Sequence, residues 1–212
     1  MFVSLSIKKS NFNIRNNIYI KYMEEFLLFF LSIFVFFTAV NKVYKKGDII
    51  SIKSSIDGEV YLVRKLPDSK KAADKLAQIN KKVLRLISSL DTNKEGVDDL
   101  IANYNPRALS ETIMGAEYTS YSVNKGEKIS ICIRSVKDNS FIDDNTILFV
   151  VIHELSHVMT HEVGHTALFW DNMKYLLEEG EKIGIYQPIN YEKNTQQYCG
   201  MEINTTPYDF DE

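Results

Sequence analysis

Four histidines stand four residues apart in this chain, at His153, His157, His161 and His165, and the sequence has no others. On a helix, residues four apart share a face, so two neighbouring imidazoles can bind one metal ion. In an unbroken helix, however, His161 and His165 would lie about 12 and 18 Å along the axis from His153. A third histidine can therefore join the first two only if the helix ends, and this requirement constrains the fold of the whole segment.

The first pair encloses Glu154 in an HExxH motif, His153-Glu154-Leu155-Ser156-His157. In this motif two imidazoles bind a zinc ion at about 2.0–2.1 Å. The glutamate can then take a proton from a metal-bound water whose pKa the ion has lowered to about 7. The alternative is two histidines with ordinary partners on a buried helix, and an accidental HExxH is expected in roughly one such sequence in a hundred. The motif favours a zinc-dependent hydrolase.

The residues before the motif predict a buried helix. Residues 145–152 are apolar nearly throughout, and Asp143, Asp144 and Asn145 offer side chains that can cap the helix N-terminus. The polar side chains of the motif would then lie inside a core. Buried polar groups need partners, and a metal ion supplies one.

The position of the helix end decides which residue is the third ligand. Gly164 is the only strong helix breaker in the segment, and it allows the chain to turn and present His165 from a new element. We therefore predict His165 as the third ligand, with His161 left in the last helical turn or in the turn region. His161 remains an alternative, as does a carboxylate from Glu178 or Glu179.

A second helix is predicted after the third histidine, with an end near Gly180. Phe169 and Trp170 are adjacent near its start. Such an aromatic pair is more often core than substrate platform, and we expect it to pack against His165 and fix its position. The apolar residues that recur at helical spacing are Leu168, Phe169, Met173, Leu176 and Leu177.

These motifs resemble the WLM (Wss1-like) group of zincin metallopeptidases, which are relatives of the SprT-type proteases. In that group an HExxH helix is followed by a third histidine and, four residues later, by an aromatic residue, as His165 and Phe169 are here. Residues 119–129 and 198–201 are also similar to WLM peptidases encoded by large DNA viruses. The likeness covers about residues 60–207.

The resemblance implies a set of functional residues. It implies zinc as the cofactor, Glu154 as the general base, and three zinc ligands, His153, His157 and His165. Two features depart from the better-known members. Seven residues separate His157 from His165, more than in the yeast-type pattern, and no long basic tail is present. The second departure argues against a DNA–protein crosslink as the substrate.

Composition predicts one catalytic domain, residues 46–212, preceded by an N-terminal segment, residues 1–45. The chain is 45% hydrophobic and 25% charged, within the range of ordinary globular proteins. Its net charge of -3 gives no electrostatic footprint for nucleic acid. We therefore expect a protein or peptide substrate and no nucleic-acid partner.

The N-terminal segment contains an uncharged, phenylalanine-rich run over residues 26–40. At 1.5 Å per residue it spans about 22 Å, which crosses a bilayer core of about 30 Å only with snorkelling and local thinning. We predict one transmembrane helix that makes this a single-pass membrane protein; a signal peptide or a buried core helix are the alternatives. Lysines flank the run on both sides, and without residues 1–22 the positive-inside rule favours a cytosolic catalytic domain.

The catalytic domain is predicted to be a small α+β zincin-type domain, with the HExxH helix beside a short mixed sheet. Residues 49–52 and 59–63 predict two strands around the Asp57-Gly58 turn, and Asp68 is predicted to cap the next helix. Residues 128–134 alternate polar and apolar and predict a strand beside the cleft, whose open edge can pair with an extended peptide. Cys132 and Cys199 are compatible with a disulfide in an oxidising compartment or with two reduced thiols.

The sequence thus predicts a membrane-anchored zinc metalloprotease, in which Glu154 deprotonates water and passes the proton to the leaving amine. Tyr191 and Tyr198 are both candidates for stabilising the oxyanion. Two other functions remain as alternatives. One is a catalytically silent membrane scaffold that keeps zinc for stability, and the other is a DNA–protein crosslink repair protease.

Overall fold

The computed structural model describes Met23, Thr38 and residues 26–36, 49–113, 120–123 and 126–210. The chain separates into two units, residues 1–47 and 48–212. The first unit contains helix α1, described over residues 26–36, with exposed phenylalanine side chains such as Phe29 and Phe34.

The predicted membrane-spanning helix is not confirmed. Within the described parts of the chain, no helix combines the length and the apolar character that crossing a membrane requires. Residues 37, 39 and 40 of the predicted run lie outside the described residues.

A five-stranded mixed sheet forms one layer of the second unit, in the order β1-β2-β3-β5-β4. Strands β1 and β2 form the antiparallel hairpin that the sequence predicts around Gly58. Parallel pairings join β2 to β3 and β3 to β5, and an antiparallel pairing joins β5 to β4. The strands are β1 (Ile49–Lys53), β2 (Val60–Arg64), β3 (Leu109–Glu111), β4 (Tyr121–Val123) and β5 (Lys128–Ile131).

Strand β5 confirms the strand predicted over residues 128–134, but the prediction that it has an open edge is wrong. Ser130 pairs with Ser110 of β3 on one side and with Tyr121 of β4 on the other. Among the described strands, β4 is therefore the one at this edge of the sheet. The error arose because residues 121–123 are too few to carry a clear alternation of polar and apolar side chains.

The described residues of the second unit form four helices, which share one core with the sheet. The buried face of α2 carries Ala72, Leu76, Ile79, Val83 and Leu86, at three- or four-residue spacing, and it packs against β2. The helices are α2 (Ser69–Ser89), α3 (Val97–Asn103), α4 (Asp144–Met159) and α5 (Ala167–Lys182).

Asp68 occupies the N-cap position of α2, as predicted, and its carbonyl oxygen accepts a hydrogen bond from the Ala72 amide at 3.1 Å, but its side chain makes no capping bond. Its carboxylate instead accepts a hydrogen bond at 2.7 Å from Arg134, whose Nε donates to Glu111 at 2.8 Å. Arg134 and Glu111 are almost fully buried, and the ring of Phe141 lies 4.3 Å from the guanidinium carbon. This network joins the loop after β5 to strand β3 and to the start of α2.

A second, two-stranded sheet consists of β6 (Gln196–Tyr198) and β7 (Met201–Ile203). Its turn residues Cys199 and Gly200 both have positive φ, at 50° and 85°. A disulfide joins Cys199 to Cys132, directly after β5, with a Cα–Cα distance of 6.2 Å. The β6–β7 hairpin is thereby attached to the end of the larger sheet.

Candidate metal centre and catalytic cleft

Helix α4 presents the first two histidines, as the sequence predicts. Asp143 caps the helix by accepting a hydrogen bond from the Thr146 amide at 2.9 Å. One turn separates His153 from His157, and their ring centroids lie 5.0 Å apart. Glu154 lies between them in sequence and is only 7% exposed.

Helix α4 ends at Met159, earlier than the Gly164 position that the sequence predicts. Thr160 is already extended, and its hydroxyl oxygen accepts a hydrogen bond at 3.0 Å from the buried amide of Asn172 on α5. The helix end is therefore held by a tertiary contact that no local signal reveals. Gly164 still makes the turn that we predict, because its φ of 91° is a conformation that side chains disfavour.

His161 lies in this connecting segment and points away from the metal centre. Its side chain is 70% exposed, and Nε2 lies 2.8 Å from a carboxylate oxygen of Asp99. The structure thus separates His161 from the other three histidines, in agreement with its predicted place in the turn region.

His165 follows the turn and stands directly before Thr166, whose hydroxyl caps α5 by accepting from the Phe169 amide. Its Nε2 lies 3.1 Å from Nε2 of His153. One nitrogen from each of His153, His157 and His165 lies within 4.8 Å of the others. Tetrahedral zinc with bonds of about 2.05 Å holds its nitrogen ligands about 3.3 Å apart, so the three imidazoles fit this ion.

No carboxylate joins the three histidines among the described residues. Glu179, one of the alternative ligands, forms an ion pair on its own helix, with a carboxylate oxygen 2.6 Å from Nζ of Lys182. Neither it nor Glu178 belongs to the cluster.

Aromatic rings support the metal centre from α5, as we predict. Phe169 is fully buried, and its ring centroid lies 4.9, 4.4 and 4.7 Å from those of His153, His157 and His165. Trp170 lies 5.7 Å from His165. These contacts restrict the imidazoles to a narrow range of orientations.

Burial keeps the helical histidines neutral, which is the protonation state that binds metal. Desolvation, followed by the neighbouring histidines His157 and His165, lowers the pKa of His153 to about 3. The pKa of His157 is also lowered, chiefly by burial.

Burial acts in the opposite direction on Glu154 and raises its pKa to about 7. A hydrogen bond from the backbone of Ser122, in the edge strand β4, partly offsets this rise. A carboxyl group with a pKa near the working pH can both accept and donate a proton efficiently. Helix α4 and strand β4 together therefore hold a carboxyl group of raised pKa in the same cleft as the imidazoles of His153 and His165.

Of the two candidate tyrosines, the structure brings only Tyr198 to the cleft. Its hydroxyl lies 2.7 Å from the hydroxyl of Ser120 and accepts a hydrogen bond from the Cys132 amide at 3.0 Å. Tyr191 instead packs in the core, with its ring centroid 4.6 Å from that of Phe149. The sequence offered no signal to choose between them, because the choice depends on where the β6–β7 hairpin folds back.

A cavity of about 550 Å³ adjoins the metal centre and is lined by His153, Glu154 and His165. Ser120 and Tyr198 lie on its wall, as do residues 201–205 of the β6–β7 hairpin and the segment after it. The sequence did not identify this wall, since residues 201–205 follow the HExxH motif by more than forty positions and carry no motif of their own.

The sequence is similar to a known domain family and to viral proteins. The sequence matches the model of the WLM domain family over residues 56–209. It is 34% identical over 166 residues to an uncharacterized protein of Acanthamoeba polyphaga mimivirus, an alignment that covers 75% of this chain and 84% of the relative. An uncharacterized protein of Invertebrate iridescent virus 3 is 37% identical over 83 residues, or 39% of this chain and 50% of that relative.

Among solved structures, Wss1 from Saccharomyces cerevisiae superposes with a TM-score of 0.46 at 21% sequence identity. The superposition covers 57% of this chain and 86% of that chain. The resemblance to viral WLM proteins that the sequence motifs indicate is confirmed by the family match and by the viral relatives.

Proposed function

The chain belongs to the WLM domain family, and from this membership and the geometry of the cleft we propose that it is a zinc-dependent metalloprotease. One observation carries the proposal. Three imidazole nitrogens that fit one zinc ion lie in the same cleft as a buried glutamate whose pKa is about 7. His153, His157 and His165 are the proposed ligands, and Glu154 is the proposed general base.

When bound, zinc polarises the scissile carbonyl and lowers the pKa of water. Glu154 accepts a proton from the attacking water molecule and then donates it to the leaving amine. The backbone of Ser122 bonds to this carboxyl group and orients it, and Glu154 is only 7% exposed. Tyr198 lines the same cavity, where its hydroxyl can donate a hydrogen bond to the developing oxyanion.

The edge strand β4 is the proposed binding site for the peptide backbone. It pairs with β5 on one side only, and its central residue Ser122 contacts Glu154. An extended peptide that adds to a sheet edge gains main-chain hydrogen bonds in a fixed register. Such pairing would bring a peptide bond next to the catalytic carboxyl group.

The test compares the full-length protein with its Glu154→Gln variant. We expect both to bind one zinc ion per chain by elemental analysis, while only the wild type cleaves an unfolded protein substrate. Glu178→Gln is the matched control, since this glutamate is outside the metal cluster, and it should leave cleavage unchanged. Equal cleavage by the wild type and Glu154→Gln would remove Glu154 from the mechanism.

The same proteins separate the two rival functions. A silent scaffold would lose its fold on chelation and cleave nothing. A crosslink-repair protease would bind DNA with an affinity that falls steeply with salt. The net charge of -3 gives no support to the second rival.

Membrane attachment through residues 26–40 remains a separate proposal, supported by the absence of charge in this run and the exposure of the α1 phenylalanines. Flotation of the full-length protein with liposomes tests it. Recovery of the protein with the vesicles, lost in a Phe29→Glu Phe34→Glu double variant, is the expected result. A protein that stays at the bottom of the gradient would contradict it.

A further inference from the structure

The cavity beside the metal centre has a large apolar wall that the proposed reaction does not use. Helix α4 contributes Phe149 and Val150, one turn before His153, and α5 contributes Trp170 and Met173. The β6–β7 hairpin closes the opposite side with Met201 and Ile203. Three separate elements therefore form one apolar surface that is continuous with the catalytic residues.

A disulfide and hydrogen bonds attach the β6–β7 hairpin, which forms this wall, to the larger sheet. The Cys132–Cys199 disulfide joins its turn to the residue that follows β5. The hydroxyl of Tyr198 bonds to the hydroxyl of Ser120, next to β4, and to the amide of Cys132. The wall of the cavity is therefore ordered before a ligand binds, so that binding loses less conformational entropy.

The charged side chains that line the cavity limit the kinds of ligand that it can bind. Two carboxylates line the cavity, those of Glu154 and Glu202, and the described residues of its lining include no lysine or arginine. The side chain of Glu202 is bonded to Gln197 at 2.7 Å, on the same hairpin. Away from the proposed zinc site, an acidic side chain therefore finds no counter-ion among these described residues, whereas apolar groups contact three elements.

We propose that this cavity binds an aromatic or large aliphatic side chain of the substrate, next to the scissile peptide bond. Its volume of about 550 Å³ lies within the range of about 300–1,000 Å³ that is usual for ligand pockets, so one bulky side chain fits. Val150 and Ile203 are the specificity-determining residues, since they line the cavity from two different elements, α4 and the β6–β7 hairpin. The expected effect on cleavage rests on the proposed peptidase function, whereas the binding of the side chain does not.

Trp170 provides a direct readout of binding, because it lines the cavity and is the only tryptophan in the chain. Full-length protein is titrated with N-acetyl-phenylalaninamide, and N-acetyl-glycinamide serves as the control ligand. We expect a saturable change in tryptophan emission with the first compound alone. The change should be lost in Ile203→Asp and kept in Ile101→Asp, a control at an exposed isoleucine on α3 outside the cavity.

A cleavage assay measures the consequence for substrate choice. Peptides that differ only in carrying Phe, Leu, Gly or Asp beside the cleaved bond are compared by kcat/KM. We expect Phe and Leu to exceed Gly by roughly 10- to 100-fold, the usual worth of apolar side-chain contacts in a pocket. The ratio should fall toward one in Ile203→Asp and stay unchanged in Ile101→Asp.

The outcomes separate this inference from the peptidase proposal. Saturable binding without any cleavage would overturn the peptidase proposal and support the pocket. Cleavage without preference, together with an unchanged tryptophan signal, would overturn the pocket and leave the peptidase intact. Ile203→Ala is a second variant in case Ile203→Asp fails to fold, and it should lower the Phe-to-Gly ratio without introducing a charge.

Discussion

Nε2 of His165 lies 3.1 Å from Nε2 of His153, although the two residues are twelve positions apart and only His153 lies on helix α4. His161 is closer to His153 in sequence but bonds to Asp99 on α3. The even spacing of the four histidines is therefore not the spacing of the site. The end of α4 at Met159 and the turn at Gly164 decide which histidines meet.

Substitution of His165 is expected to weaken zinc binding, and substitution of His161 is not. His165→Ala removes one of three nitrogens that fit the ion, so the loss should exceed the 10- to 100-fold that is typical of losing a residue that only supports a ligand. Competition with a chromogenic chelator measures the affinity. His161→Ala, which alters an exposed ion pair, is the matched control. An equal loss in both variants would contradict the division of the histidines.

Substitution of Gly164 should weaken zinc binding in addition to lowering the free energy of unfolding. Alanine at a positive φ costs about 1–2 kcal/mol, and neither Gly164 nor Gly184 has a neighbour within 4 Å of an added Cβ. Gly164→Ala and Gly184→Ala should therefore lose similar amounts of unfolding free energy in urea. Only Gly164→Ala should also weaken zinc binding, because this turn positions His165. Similar zinc affinities in the two variants would show that the turn is not what places this ligand.

Glu154 should destabilise the metal-free protein at neutral and alkaline pH. Burial raises its pKa from 4.5 to about 7, so between these values the folded state holds a proton that the unfolded state has lost. Stability contributed by this group therefore falls as the pH rises through that window, and above it the penalty is constant at about 2–4 kcal/mol.

Glu154→Gln removes this penalty. Chelator-treated variant should unfold at higher urea concentration than the wild type at pH 8 and at the same concentration at pH 4. Urea titrations at the two pH values measure the difference, with Glu178→Gln as the control. A gain in stability that is the same at both pH values would rule out ionisation of Glu154 as its cause.

Replacing one member of the buried ion pair between Arg134 and Glu111 should lower the free energy of unfolding. Arg134→Met leaves the Glu111 carboxylate buried without its partner, which is expected to cost about 3–5 kcal/mol of unfolding free energy. Adding Glu111→Gln should recover part of that loss, since the remaining amide carries no charge. A double variant as unstable as the sum of the two single variants would show that the residues do not interact.

Removal of the Cys132–Cys199 disulfide should lower stability by about 4 kcal/mol, because the bridge closes a loop with a sequence separation of 67. Cys199→Ser and Cys132→Ser should unfold at the same, lower temperature as wild type treated with a dithiol reductant. The reductant should not change the double serine variant. Any further fall in its melting temperature would point to an effect of the reductant other than cleavage of this bond.

The sequence by itself determined the helix that carries the HExxH motif. The apolar run before His153, the cap at Asp143 and the HExxH spacing each depend on residues close together in the chain, so local rules were sufficient. The rise of a helix shows that the four histidines cannot all reach one ion, and the preference for His165 over His161 rested on the helix breaker Gly164, which does make the turn before His165. The β1–β2 hairpin followed from two short strand segments on either side of the Asp57-Gly58 turn.

Only the tertiary structure decided the rest of the cleft. The end of α4 depends on the contact between Thr160 and Asn172, the partner of Asp68 is Arg134 rather than the start of α2, and β4 rather than β5 forms the sheet edge. Tyr198 reaches the cavity because the β6–β7 hairpin is attached to Cys132. Each of these features joins residues that are distant in the chain, and their pairing is set by how the elements share one core, which no local pattern of side chains records.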